Sequence, residues 1–143
     1  MLKIKAFDEL TLNELYGILR LRMEVFVVEQ QGIYQDLDNI DQKSVHIFAE
    51  NDAGEVIGCI RVFPKTDEPG TVQLGRLVAR NRRTGLGRRL MDTAEQVARD
   101  RWKAKELYLT GRNSAYGFYL KCGYHDEDPN EEIPYHKLRK TIG

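Results

Sequence analysis

The sequence predicts an α/β (α+β) fold, a mixed sheet flanked by helices. Three observations carry this reading. "VHIFAE", "NDAG" and "EVIGCIRVF" spell strand, turn and strand, a β-hairpin near the middle of the chain. At Gly85 the apolar period changes from alternation to helical spacing, with Leu86, Leu90, Ala94, Val97 and Ala98 on one face. Beyond that helix, "ELYLT", "SAYGFYLKC" and "IPYHKLRK" read as strand, short helix and closing strand.

Taken in order, residues 2–7, "LKIKAF", alternate apolar and polar and predict a half-buried first strand. Thr11 with Glu14 three residues on is a capping box and starts a helix. Leu12, Leu15, Tyr16, Leu19, Met23 and Phe26 form an apolar stripe on it, expected to pack in the core. "EQQGIYQDLDNIDQKS" is a polar stretch of loop or short-helix character, long enough to suspect function. After the hairpin, "KTDEPG" is a turn and "TVQLGRLVA" a third strand of that group. The second long helix runs from Gly85 to about Trp102, and Gly123 ends the short one. The order is β, α, loop, three strands, α, β, α, β.

A chain of 143 residues, 41% hydrophobic and 31% charged, fits one domain over 1–143 with a sizeable core. Acidic and basic residues number 22 each, so no global charge pulls the molecule toward nucleic acid or membrane. The start lacks the apolar run of a signal peptide, and no stretch approaches a membrane span. Cys59 and Cys122 stand far apart without CxxC spacing, which argues against zinc and a disulfide framework. Two reduced thiols point to a cytoplasmic protein. The aspartates of the polar stretch begin D-x-D, but Ile40 and Asp41 replace the oxygen ligand and glycine that a calcium loop needs.

"RNRRTGLGRR", residues 80–89, concentrates arginine and glycine where a strand ends and a helix begins. A helix start has backbone N–H groups without intrahelical partners and a partial positive charge, so it suits phosphate. Glycine lets a ligand approach the backbone closely, and Arg82, Arg83, Arg88 and Arg89 add charge-assisted donors. The Lys-Ser or Lys-Thr of a P-loop is absent, and Leu90 stands where a dinucleotide fingerprint needs its third glycine. Aromatic residues are not interleaved with these arginines, which speaks against nucleic acid.

Arg82, Gly85 and Gly87 resemble the R-x-x-G-x-G acyl-coenzyme A pyrophosphate loop of the GNAT superfamily of N-acetyltransferases. "AYGFYLKCGY" is similar to that superfamily's A-x-x-F-Y-x-x-x-G-[FY] segment through Ala115, Phe118, Tyr119, Gly123 and Tyr124. Arg22, Phe26, Val27, Glu29, Gln30, Tyr34, Asp36, Asp38, Asp41 and His46 resemble the superfamily's ElaA-like group. The likeness spans most of the chain. In two places the chain departs from it: the segment from Arg76 to the glycines is shorter, and the closing "IPH" reads "IPYH", putting Tyr135 and not His136 in register.

The resemblance implies a GNAT-type, mostly antiparallel sheet and acetyl transfer from acetyl-coenzyme A to a primary amine by direct attack, without metal. Leu77, Val78 and Ala79 would then pair with the pantetheine arm, an N–H at Leu77 or Val78 holding the carbonyl oxygen. Arg82, Arg83, Thr84, Gly85, Leu86, Gly87 and Arg88 would cradle the pyrophosphate. Tyr119 would protonate the leaving thiolate, and Glu29 would deprotonate the amine directly or through water. Tyr34, Asp36, Asp38 and Asp41 line a loop expected to attract a cationic amine, with His46 nearby. An inactive acetyl-coenzyme A sensor is an alternative that keeps the same binding loop. The acceptor, a small molecule or a peptide amine, stays open, as does a homodimer.

Overall fold

The computed structural model describes residues 2–80, 84–129 and 134–143. Its strands are β1 (Leu2–Ala6), β2 (Val45–Glu50), β3 (Val56–Pro64), β4 (Thr71–Ala79), β5 (Glu106–Arg112), β6 (His125–Asp126) and β7 (Tyr135–Thr141). Its helices are α1 (Leu12–Arg22), α2 (Leu86–Trp102) and α3 (Tyr116–Lys121). They follow the expected order, with the two-residue β6 as an addition. The strands form one sheet in the order β1-β2-β3-β4-β5-β7-β6. Every pairing is antiparallel except β4 with β5.

Two features of β4 shape everything that follows. Its parallel ladder with β5 covers only Thr71↔Glu106, Val72↔Leu107 and Gln73↔Tyr108. On its other edge, Arg61 pairs with Gly75 and Cys59 with Val78, so β4 spends three residues where β3 spends two. The extra residue is a β-bulge, and Arg76 within it has φ +53°. A bulge bends its strand, and here β4 parts from β5 just past the last ladder pair.

One face of the sheet is covered by α2 and α3. There Leu86, Leu90, Met91, Ala94, Val97 and Ala98 of α2 pack on Ile47, Ile60, Val62, Leu74, Leu107, Leu109 and Leu138. The other face is covered by α1, through Ile18 and Leu21 on Phe48, Val56, Cys59 and Val78. The predicted capping box at α1 is present: Glu14 N–H donates to Thr11 Oγ1 at 3.1 Å, and Thr11 N–H donates to Glu14 Oε1 at 2.9 Å.

The expected apolar stripe of α1 is not its buried face. Leu12 is 85% exposed, Tyr16 73% and Met23 43%, while Glu14, Ile18, Leu21 and Arg22 are inside. Two charged residues are therefore buried at helical spacing with Ile18 and Leu21, each held by partners that offset its desolvation. Glu14 accepts from Lys3 and Lys5 at 2.9–3.1 Å. Burial opposes its ionisation, but the Lys5 hydrogen bonds lead the contacts that hold its carboxyl down to about 2. Arg22 meets aspartates from the following loop. Past α1 the helix widens into π-type turns over Met23–Glu29, where the Gln30 N–H bonds Val25 O at 2.9 Å, five residues back. Such widened turns displace side chains from the regular helical face.

Candidate active site

The divergence of β4 and β5 opens a cavity of about 190 Å³ through the sheet. β4 lines it from Gln73 to Leu77, and β5 through Leu109, Thr110 and Arg112. The widened end of α1 and the loop after it add Phe26, Gln30 and Tyr34, and Tyr119 and Tyr135 close the remaining side.

At the α2 side, Gly85 caps the helix with φ +80°, a left-handed conformation that glycine adopts without a Cβ penalty. Gly87 is different. A Cβ there would lie 3.4 Å from Phe118 Cζ and 3.7 Å from Ala79 Cβ, ordinary contact distances. Nothing described in the chain itself requires glycine at 87. Those same contacts show that the end of β4, the first turn of α2 and the start of α3 converge. Leu77, Ala79, Leu86 and Phe118 share the α2 face of the sheet, whereas Val78 turns its side chain to the α1 face. Arg88 is exposed, donating to Asp92 at 3.2 Å and to the Lys121 carbonyl at 3.3 Å. Thr84 is exposed beside the cap. Arg82 and Arg83 lie outside the described residues.

Tyr119 is 9% exposed, and its ring lies directly on Gly111 of β5, where a Cβ would come within 2.8 Å of it. Edge contacts with Phe118 and Tyr124, at centroid distances of 5.4 and 6.4 Å, fix the ring. Burial pushes its phenol up to about 12, so it keeps its proton throughout the neutral range.

The acidic loop folds differently from the expectation. Its carboxylates meet arginines rather than facing open solvent. Arg22 Nε donates to Asp36 Oδ2 at 3.0 Å, and Arg22 Nη1 to Asp41 Oδ1 at 2.6 Å. Both nitrogens at the end of Arg61 reach Asp38, at 2.8 and 2.6 Å, and one also reaches Asp41 at 3.2 Å. Arg76 of the bulge lies 2.9 Å from Asp36 and 3.2 Å from Asp38. Three cations and three anions thus form one neutral lattice, and Asp36 at its centre is 1% exposed. Burial disfavours ionised Asp38 and Asp41, but Arg61 beside Asp38 holds that carboxyl at about 2, and Arg22 beside Asp41 also lowers it. Asp36, Asp38 and Asp41 therefore pin the loop to α1, β3 and β4, and the expectation that they attract a cationic amine is corrected. His46 is buried behind them, its Nε2 2.9 Å from the Asp41 carbonyl, and burial lowers its pKa. It does not line the cavity.

Tyr34 does line it, half-covered by the Arg76 guanidinium at 5.6 Å from the ring centre. Glu29 does not: its exposed carboxylate pairs with Arg80 at 2.9 Å, which also holds Glu24 at 3.0 Å. Sequence reasoning gave no role to Arg112, paired across strands with Tyr135, nor to the two outer arginines of the lattice, Arg61 and Arg76. Tyr135 alone had a signal, its place in the "IPYH" register, and in β7 it faces the cavity. The adjacent His136 instead meets Asp126 at 2.9 Å and Asn113.

Comparison with known proteins places this geometry. The family model described as acetyltransferase (GNAT) family matches residues 12–124. A UPF0039 protein of Schizosaccharomyces pombe is 32% identical over 96% of this chain and 95% of its own length. Among solved structures, an acyl-CoA N-acyltransferase from Pseudomonas aeruginosa superposes with a TM-score of 0.88 at 32% identity, covering 99% of both chains. Escherichia coli ElaA superposes with a TM-score of 0.88 at 27% identity over 98% of both chains.

Proposed function

We propose, from the premise that this chain belongs to the acetyltransferase (GNAT) family, that it moves an acetyl group from acetyl-coenzyme A to a primary amine by direct attack. The observation that carries this reading is the parting of β4 from β5, over a cavity that reaches Tyr119. Bound acetyl-coenzyme A supplies an activated acyl carbon and a thiolate leaving group.

The chain's own residues then do the following. The first turn of α2, Gly85 to Arg88, turns main-chain N–H groups toward the pyrophosphate, with Thr84 beside it, and the guanidinium charges of Arg82 and Arg83 are the sequence's expected addition. Room for a methyl at Gly87 fits a glycine needed by what binds there, not by the fold. Leu77 to Ala79, past the end of the parallel ladder, offer backbone groups to an extended arm lying between the strands. A main-chain N–H at Leu77 or Val78 holds the carbonyl oxygen as charge develops. Tyr119, still protonated at neutral pH, donates to the leaving sulfur.

Removing the amine's proton is assigned to solvent at the mouth of the cavity. Glu29 sits outside the lining and against Arg80, away from the space the amine would enter. Arg112, with which no carboxylate among the described residues pairs, borders the space an amine would enter. A positive neighbour disfavours an ammonium and so favours the neutral nucleophile.

The test is a coenzyme A titration followed by thiol release with an amine library. Binding without release for any amine would support the sensor reading instead. Tyr119→Phe should lower turnover by about 10²-fold, a typical general-acid contribution, with coenzyme A affinity retained. Turnover equal to that of the unmodified chain removes Tyr119 from the mechanism.

A further inference from the structure

The charges around the cavity are unevenly satisfied. Arg61 and Arg76 are neutralised by the aspartate lattice. Arg112, at the end of β5, is not neutralised by any of the described residues. Its Nη1 donates to the side-chain carbonyl of Gln30, and its guanidinium lies 5.9 Å from the centre of the Tyr135 ring. Among the described residues no carboxylate pairs with it, and none lines the cavity. Gln30 orients the guanidinium without cancelling its charge. Tyr34 and Tyr135 also line this end of the cavity, and Ser114 adds a hydroxyl. A partly buried, oriented guanidinium whose charge no described residue compensates is a receptor for a planar anion, which it can bind through two parallel hydrogen bonds.

Resting on the transferase reading above, we propose that the acceptor is a small amine carrying a carboxylate, and that Arg112 binds this carboxylate. Arg112 comes from the strand that forms one wall of the cleft, and Phe26, Gln30 and Tyr34 come from the α1 side of the sheet. The thioester arm would come from the α2 side, so the two substrates would meet inside the sheet. The acid group would be anchored at the rim and the amine directed inward toward Leu77 and Tyr119. No atom of Arg112 takes part in the transfer; it binds and orients.

The experiment measures thiol release from acetyl-coenzyme A with the common L-amino acids, each beside its own α-carboxamide. The expected result is a kcat/KM at least about 10-fold higher for the acid than for the amide of the preferred pair, as charge-assisted hydrogen bonds predict. Arg112→Gln should collapse this ratio toward one, chiefly through KM for the acid, with Arg112→Lys intermediate. Gln30→Glu, which supplies a carboxylate to Arg112 from within, should also collapse it. General damage to the fold lowers both rates together and leaves the ratio intact, and coenzyme A affinity serves as the control for folding. The inference is overturned by a wild-type ratio at or below one, by a ratio unchanged in Arg112→Gln, or by release with no acid at all. Release with amides alone overturns it while leaving the transferase reading standing. Failure to bind coenzyme A removes both.

Discussion

Replacing Gly87 by alanine separates what the fold needs from what a ligand needs. The added Cβ would sit 3.4 Å from Phe118 Cζ and 3.7 Å from Ala79 Cβ, with no atom of the described chain closer. The position is in the first turn of α2 and has no left-handed backbone to preserve. Glycine to alanine at such a site stabilises by about 0.4–1 kcal/mol, mostly by restricting the unfolded chain. For a protein of this size that raises Tm by about 1 to 4 °C. Coenzyme A affinity should move the other way. A methyl standing over the N–H groups of the first turn displaces at least one hydrogen bond to phosphate, and losing such a bond costs about 1.5–3 kcal/mol, or 10-fold and more in Kd. Calorimetric titration with coenzyme A and thermal unfolding of the same preparations give both quantities. Gly85→Ala is the contrast. Its φ of +80° charges a side chain about 1–2 kcal/mol, so that variant should lose stability. Unaltered coenzyme A affinity in Gly87→Ala would refute the placement of pyrophosphate over this turn, whatever the stability did.

Further predictions concern the arginine–aspartate lattice. Asp36→Asn leaves Arg22 and Arg76 short of a buried countercharge and should cost about 3 kcal/mol in urea denaturation, whereas an effect below about 0.5 kcal/mol would make the lattice incidental. Acid should destabilise the chain in two stages. His46 has a folded pKa below its ordinary value of 6.5, so the unfolded state takes up its proton first and stability declines from about that pH downward. Asp38, held at about 2 against an ordinary 3.8, contributes stability that is complete above about 4 and lost as pH falls toward 2. Asp41, also lowered, acts in the same direction. Scanning calorimetry that found Tm constant from pH 7 to pH 2 would contradict both stages.

Most of the framework could be read from residues. The hairpin, the third strand and the buried face of α2 follow from apolar periods of two and 3.6, since these elements bury mostly apolar side chains, with His46, Arg61 and Thr71 as the polar exceptions. Helix α1 misled because it does the reverse, placing Glu14 and Arg22 inside and Leu12 and Tyr16 outside. A hydropathy pattern cannot register a buried arginine whose partners, Asp36 and Asp41, lie 14 and 19 residues away. The π-type widening at Met23–Glu29 has no propensity signal either, yet it is the region that brings Phe26 and Gln30 to the cavity. Gln30 meets Arg112 across 82 residues of sequence, a contact that only the folded sheet defines. Glycines and Tyr119 were legible because short motifs carry them. The charge balance of the cavity was not, since it depends on which arginine each aspartate selects.

The brevity of the β4–β5 ladder has a mechanical consequence. Strands β1 to β4 form one wing and β5 to β7 another, and three residue pairs make the direct seam between them. Past that seam, peptide groups of the two strands face each other without meeting. An amide-bearing chain inserted there would act as a missing strand, bonding to both wings at once. The guest would then be a keystone as well as a reactant, and each turnover would briefly complete the sheet and unlock it again.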